Sequence, residues 1–166
     1  IKNGYIVAEA EKGLKGANIT FPSISVGATE NALLAAFNAK GKTILNNCAI
    51  EPEIKDLIKF LKSLGGKIKI VGRKILIIGC NKIKENMTHQ VIFDRIELGT
   101  YLIAAALVGK KIVLNKINPR VIQNELNILK KMGVKFKTQK SSIKIFKSKN
   151  IKKINLSTKP YPGFPT

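Results

Sequence analysis

The chain has 166 residues, with 30 Lys and Arg against 10 Asp and Glu, and a formal net charge of +20. Hydrophobic residues make up 45% of it, enough to build a core, so a disordered basic tail is excluded. No apolar run approaches the roughly 20 residues that span a bilayer, and the front of the given sequence shows no basic-apolar-small signal.

In chain order the pattern alternates between strand and helix. "ANITFPSISV" (17–26) reads as a strand, the β-like run from Ile19 to Val26 meeting "ATENALLAAFNAK" as a helix at Gly27. "KTILNNCAI" is the next strand and "PEIKDLIKFLKSLG" an amphipathic helix, with Ile54, Leu57, Ile58, Leu61 and Leu64 on one stripe. Pro52 suits its first turn and Gly65 its end. "KIKIVG" and "KILIIG" flank a short Gly-Arg turn and read as a hairpin.

The order then recurs. "HQVIFDRIEL" is predicted as strand and junction, "GTYLIAAALVG" as helix and "KKIVLNKI" as strand. In the helix "PRVIQNELNILKKMG", Ile122, Leu126 and Leu129 share a face, and "VKFKTQ" pairs with "SSIKIF". Matching stretches such as "SLGGKIKI" and "KMGVKFKT" set a period of about 70 residues, beyond solenoid repeats. The fold class is therefore α/β (α+β), built of βαβαββ modules. "KINLSTKPYP" reads as the opening strand of a third copy, which suggests a segment of a longer protein.

The charge alone would fit nucleic-acid binding. Yet only Arg73, Arg95 and Arg120 are arginines and aromatics are 6%, whereas nucleic-acid readers favour Arg forks and stacking rings. The lysines instead decorate polar faces, as Lys55, Lys59 and Lys62 do between apolar positions, so they read as solvated surface and no specific nucleic acid is expected. Cys48 and Cys80 lack CxxC spacing or a nearby His and read as buried or half-buried free thiols, not a metal site. His89 stands alone and reads as a surface residue.

The stretches "LKGANITFPSISVGATENALLAA", "NNCAIEPEIKDL", "DRIELGTYLIAAA" and "TKPYPGFPT" together resemble the enolpyruvyl transferases over essentially the entire chain. The resemblance is strongest to the cytosolic branch acting on UDP-N-acetylglucosamine. It implies an inside-out α/β barrel of two lobes, helices inside and sheets outside. Residues 1–93 would end the first, catalytic lobe, and residues 94–166 would start the second. It implies transfer of the enolpyruvyl group of phosphoenolpyruvate to the 3-hydroxyl of UDP-N-acetylglucosamine, with no metal or organic cofactor and no membrane.

The same resemblance places the reactive-loop residue before Ile1 and the acid/base Asp after Thr166. No catalytic residue is then expected in this segment, and the chain alone should be inactive until the remainder of the polypeptide completes the site. For substrate binding it implies Ser23, Ile24, Ser25, Val26 and Gly27 near the diphosphate, and Thr166 near the sugar. Helix-start amides and the helix dipole suit an anion, although a serine there can equally serve its own helix as a cap. Glu51 is expected to line the cleft or to sit on a helix dipole. Asp94 and Arg95 are expected to line the inter-lobe site or to form a structural ion pair. Two alternatives stay open: the sister transferase using shikimate 3-phosphate, and a basic nucleic-acid-binding module.

Overall fold

The computed structural model describes residues 3–164, which divide into two units between Gln90 and Val91. In the first unit the strands are β1 (Asn18–Thr20), β2 (Lys42–Asn46), β3 (Lys67–Val71) and β4 (Lys74–Ile78). Its helices are α1 (Val26–Asn38) and α2 (Pro52–Ser63). The sheet runs β1-β2-β4-β3, with β1 and β2 parallel and the other pairs antiparallel. The first strand is shorter than the sequence suggests. Phe21 N still donates to Asn46 O at 3.2 Å, but Pro22 has no N–H with which to extend the ladder. Residues 21–25 therefore form an irregular approach to α1.

Helix α1 packs Leu33, Ala36 and Phe37 into the sheet, and α2 adds Ile54, Ile58 and Leu61. Leu45, Ile75 and Ile77 come up from β2 and β4 with no exposed surface. Fully burying a side chain of that size contributes about 1.5–3 kcal/mol, so this cluster is the main source of the unit's stability. The opposite, outward positions of β3 carry Lys67 and Lys69, both exposed. The hairpin closes through Gly72–Arg73, with Gly72 at φ +56°, as a tight two-residue loop with glycine first requires.

The second unit contains α3 (Arg95–Val108), β5 (Lys111–Asn115), α4 (Gln123–Lys131), β6 (Phe136–Thr138) and β7 (Ser142–Phe146). A 3-10 turn at Pro119–Ile122 precedes α4, so the single predicted helix has two parts. Ile122, Leu126 and Leu129 are buried together, as their spacing predicts. The sheet order is β5-β7-β6, all antiparallel. On β7, Lys144 faces Lys137 across the ladder, and its ammonium is held below the usual lysine range, first by the charge of Lys111.

Both units end their second helix in the same way. Gly66 N donates to Leu61 O and Gly65 N to Lys62 O, with Gly65 at φ +107°. Val134 N and Gly133 N repeat this with Leu129 O and Lys130 O, with Gly133 at φ +88°. This paired closure needs a left-handed residue just past the helix, which explains the shared glycine in "SLGG" and "KMGV". One expected parallel does not form: neither "HQVIFDRIEL" nor "KINLSTKPYP" contains a strand. In place of a strand, His89 is drawn onto α2, its Nε2 3.1 Å from Asp56 Oδ2 and its ring 5.3 Å from that of Phe60. His89 is thus a half-buried, paired residue, not a bare surface one.

Cys48 is fully buried and Cys80 half-buried, both as free thiols. Burial pushes the Cys48 thiol up from its ordinary range, so little thiolate is present to react near neutral pH. An aromatic disulfide reagent added to the native chain at pH 8 should label Cys80 promptly and Cys48 only after denaturant. Two equally fast thiols would contradict this burial.

Candidate functional site

The parallel pair β1–β2 sends two chain crossings out of the same end of the sheet, one into α1 and one into α2. At such strand ends, helix N-termini present amides and the positive end of their dipoles. The two loops are tied together. Thr29, fully buried in the first turn of α1, donates from Oγ1 to Ser25 O at 2.7 Å and accepts from Ala49 N at 3.0 Å. Asn47 donates from its side chain to Phe21 O at 2.9 Å while its backbone sits at φ +58°, a region asparagine tolerates better than most residues. Lys116 repeats that backbone at φ +59° in the second unit. From the β3–β4 turn, Arg73 donates to Cys48 O at 3.0 Å, bracing the loop from its other side.

Ser25 is the N-cap of α1, its Oγ accepting from Ala28 N at 3.2 Å. The capping role noted from sequence is therefore occupied. Its hydroxyl proton and the amides of Val26 and Gly27 are the donors the cap does not use. Gly27 is exposed, and a Cβ built there meets nothing within 4 Å, so open space lies against the helix start. Ser23 is exposed and Ile24 half-buried against the core. Ser23, Ile24, Ser25, Val26 and Gly27 thus form one continuous lip at the α1 entrance.

Glu51 caps α2 by position but makes no side-chain cap bond, and Pro52 follows at the first helical position. The residue is only 5% exposed, and its Oε2 is buried with no hydrogen-bond partner among the described residues. A carboxylate serving only the helix dipole would normally stay in water, because an unsatisfied buried oxygen costs about 1–3 kcal/mol. The arrangement is that of an acceptor held ready for a donor.

The second unit differs at the corresponding joint. Its helix starts at Arg95, one turn earlier than the alignment of Gly99 with Gly27 suggests, and Asp94 is the cap. Asp94 Oδ1 accepts from Ile96 N at 2.7 Å and Glu97 N at 3.2 Å, so a carboxylate already sits where an anion would. Arg95 is buried, with its guanidinium carbon 5.8 Å from the centre of the Tyr161 ring. Asp94 thus serves the helix start, and Arg95 reaches an aromatic ring. Thr166 lies outside the described residues. Among the described residues, no cluster of His, Cys, Asp or Glu could hold a metal and no helix could cross a membrane.

The tie residues Thr29, Asn47 and Arg73 were missed by sequence reasoning. Asn47 carried the one usable signal, an Asn-Asn pair ending a strand.

A family model described as EPSP synthase (3-phosphoshikimate 1-carboxyvinyltransferase) matches residues 1–166. The chain belongs to this enolpyruvyl transferase family. It is 55% identical over its whole length to a UDP-N-acetylglucosamine 1-carboxyvinyltransferase of Pelagibacter ubique and 48% identical to one of Endomicrobium trichonymphae. In each case it spans 40% of the relative's length. Among solved structures, the enolpyruvyl transferase NikO from Streptomyces tendae matches 74% of this chain, with TM-score 0.68 at 22% identity and 30% of that chain covered. EPSP synthase from Acinetobacter baumannii matches 87%, with TM-score 0.60 at 25% identity and 34% covered. The α/β reading of this enolpyruvyl transferase segment is thus supported by fold and by sequence, with the complete βαβαββ order present in the first unit.

Proposed function

We propose that the chain is part of a cytoplasmic transferase that moves the enolpyruvyl group of phosphoenolpyruvate to the 3-hydroxyl of UDP-N-acetylglucosamine. Phosphate leaves, and the product feeds peptidoglycan synthesis. The observation that carries the reading is the 55% identity, across every residue of this chain, to a relative named for that reaction. The α1 entrance supports it: a diphosphate can take the Val26 and Gly27 amides and the Ser25 hydroxyl, while Glu51 accepts from a ligand or backbone donor. The reaction deprotonates a hydroxyl and protonates an alkene carbon, and no residue of this segment is assigned to either step. In this reading residues 1–93 finish the catalytic lobe and residues 94–166 begin the second. Thr166 and the remainder of the polypeptide complete the site.

A shikimate 3-phosphate enzyme shares the architecture, but the 25% identity to the solved synthase is far below that to the sugar-nucleotide enzymes. The experiment is ligand stabilisation of the full-length enzyme. UDP-N-acetylglucosamine at 100 times its Kd should add about 2.7 kcal/mol of stability, and adding phosphoenolpyruvate should release phosphate. No stabilisation by the sugar nucleotide, together with stabilisation by shikimate 3-phosphate, would replace this reading by the alternative. The 166-residue chain alone should release no phosphate from the pair.

A further inference from the structure

The second unit contains a turn that two helices hold from outside. Residues 159–164 close on themselves through Lys159 N donating to Phe164 O at 2.8 Å and Gly163 N donating to Pro160 O at 2.9 Å. A Cβ at Gly163 would lie 2.6 Å from Lys159 Cβ and 2.9 Å from Lys159 O, so glycine is what allows the turn to be this tight. Asn124 of α4 donates from its side chain to Pro162 O. Arg95, at the first position of α3, lies over the ring of Tyr161. Phe164 joins Arg95, Leu102 and Leu129 in lining an apolar groove of about 780 Å³ along α3 and α4.

We propose that Arg95 is a positioning residue: through Tyr161 it holds the 159–164 turn at the start of α3 and so sets where the chain leaves Phe164. The inference rests on the reading above, in which Thr166, two residues further on, contributes to the sugar-nucleotide site. A buried Arg is an expensive way to fill space. It is well suited to holding a ring, because a planar, weakly hydrated guanidinium stacks on an aromatic face where an ammonium does so less well. Asn124 fixes the opposite side of the same turn, so the segment is gripped at two consecutive residues, Tyr161 and Pro162. This placement suits an arginine better than a lysine.

The test is amide hydrogen exchange on the full-length enzyme carrying Arg95→Ala, Arg95→Lys or Tyr161→Leu. In Arg95→Ala the Lys159 and Gly163 amides should exchange about tenfold faster, while Ile143 and Ile145 of β7 keep their protection. Tyr161→Leu should give the same local loss, and Arg95→Lys should recover only part of it. Unchanged turn protection in Arg95→Ala, full recovery in Arg95→Lys, or loss of turn and β7 protection in step would each overturn the proposal. Sugar-nucleotide affinity, measured in the full-length enzyme with the same substitutions, should fall in Arg95→Ala. If the unsubstituted enzyme binds no UDP-N-acetylglucosamine, the substrate reading fails, and the exchange data still decide whether Arg95 positions the turn.

Discussion

Ser25→Asp should leave the folding stability of the chain within about 0.5 kcal/mol, because Asp caps helices as well as Ser does and adds a favourable charge to the dipole. In the full-length enzyme the same substitution should weaken UDP-N-acetylglucosamine binding at least about tenfold, since a fixed carboxylate opposes the diphosphate. The second unit already shows the blocked arrangement, with Asp94 Oδ1 on the amides of Ile96 and Glu97. Ser25→Ala supplies the reverse case. Losing the Oγ that accepts from Ala28 N should cost about 1 kcal/mol of stability while leaving the Val26 and Gly27 amides available to an anion. Denaturant unfolding and titration calorimetry on the two variants separate capping from binding. Wild-type affinity in Ser25→Asp would remove the α1 entrance from the site.

Gly79→Ala should be the most disruptive single methyl in the first unit. The added Cβ would lie 1.6 Å from Ala39 O and 2.8 Å from Ala39 C, both backbone atoms at the end of α1. Gly79 N also donates to Gly41 O, and Cys80 N to Phe37 O, so the end of β4 is stitched to that helix end and cannot easily back away. Overpacking against backbone should cost about 3 kcal/mol or more, read as a lower urea midpoint with little change in slope. Gly27→Ala is the control. Its Cβ meets nothing within 4 Å, and replacing a helical glycine should stabilise by up to about 1 kcal/mol. Equal effects from the two substitutions would mean that the contact at Ala39 does not govern the packing.

Much of the fold was legible because its devices are local. The α2 stripe, the buried face of α4, the Gly-Arg hairpin and the paired helix stops at Gly65 and Gly133 each depend on residues a few positions apart. The same locality misled at "HQVIFDRIEL". An alternating apolar run is only permissive for a strand, and there the sole histidine pairs instead with Asp56, 33 residues earlier. Pro22 is a readable stop for β1, because it lacks the N–H that would extend the ladder. The candidate lip at 23–27 was singled out through the family resemblance, while its bracing was not legible. Thr29 with Ala49, Asn47 with Phe21 and Arg73 with Cys48 join segments 20 to 26 residues apart.

By itself the sequence determined the module, its period, its helix and hairpin punctuation, and the family. These follow from backbone preferences and apolar spacing, which act over a turn or two of chain. Only the tertiary structure decided which carboxylate is buried without a partner and which arginine meets a ring. It also decided that one helix start is capped by the neutral Ser25 while its counterpart in the second unit is capped by the carboxylate of Asp94. Those outcomes depend on which loops the sheet brings side by side, and on whether a polar atom, once there, finds water, a partner or neither.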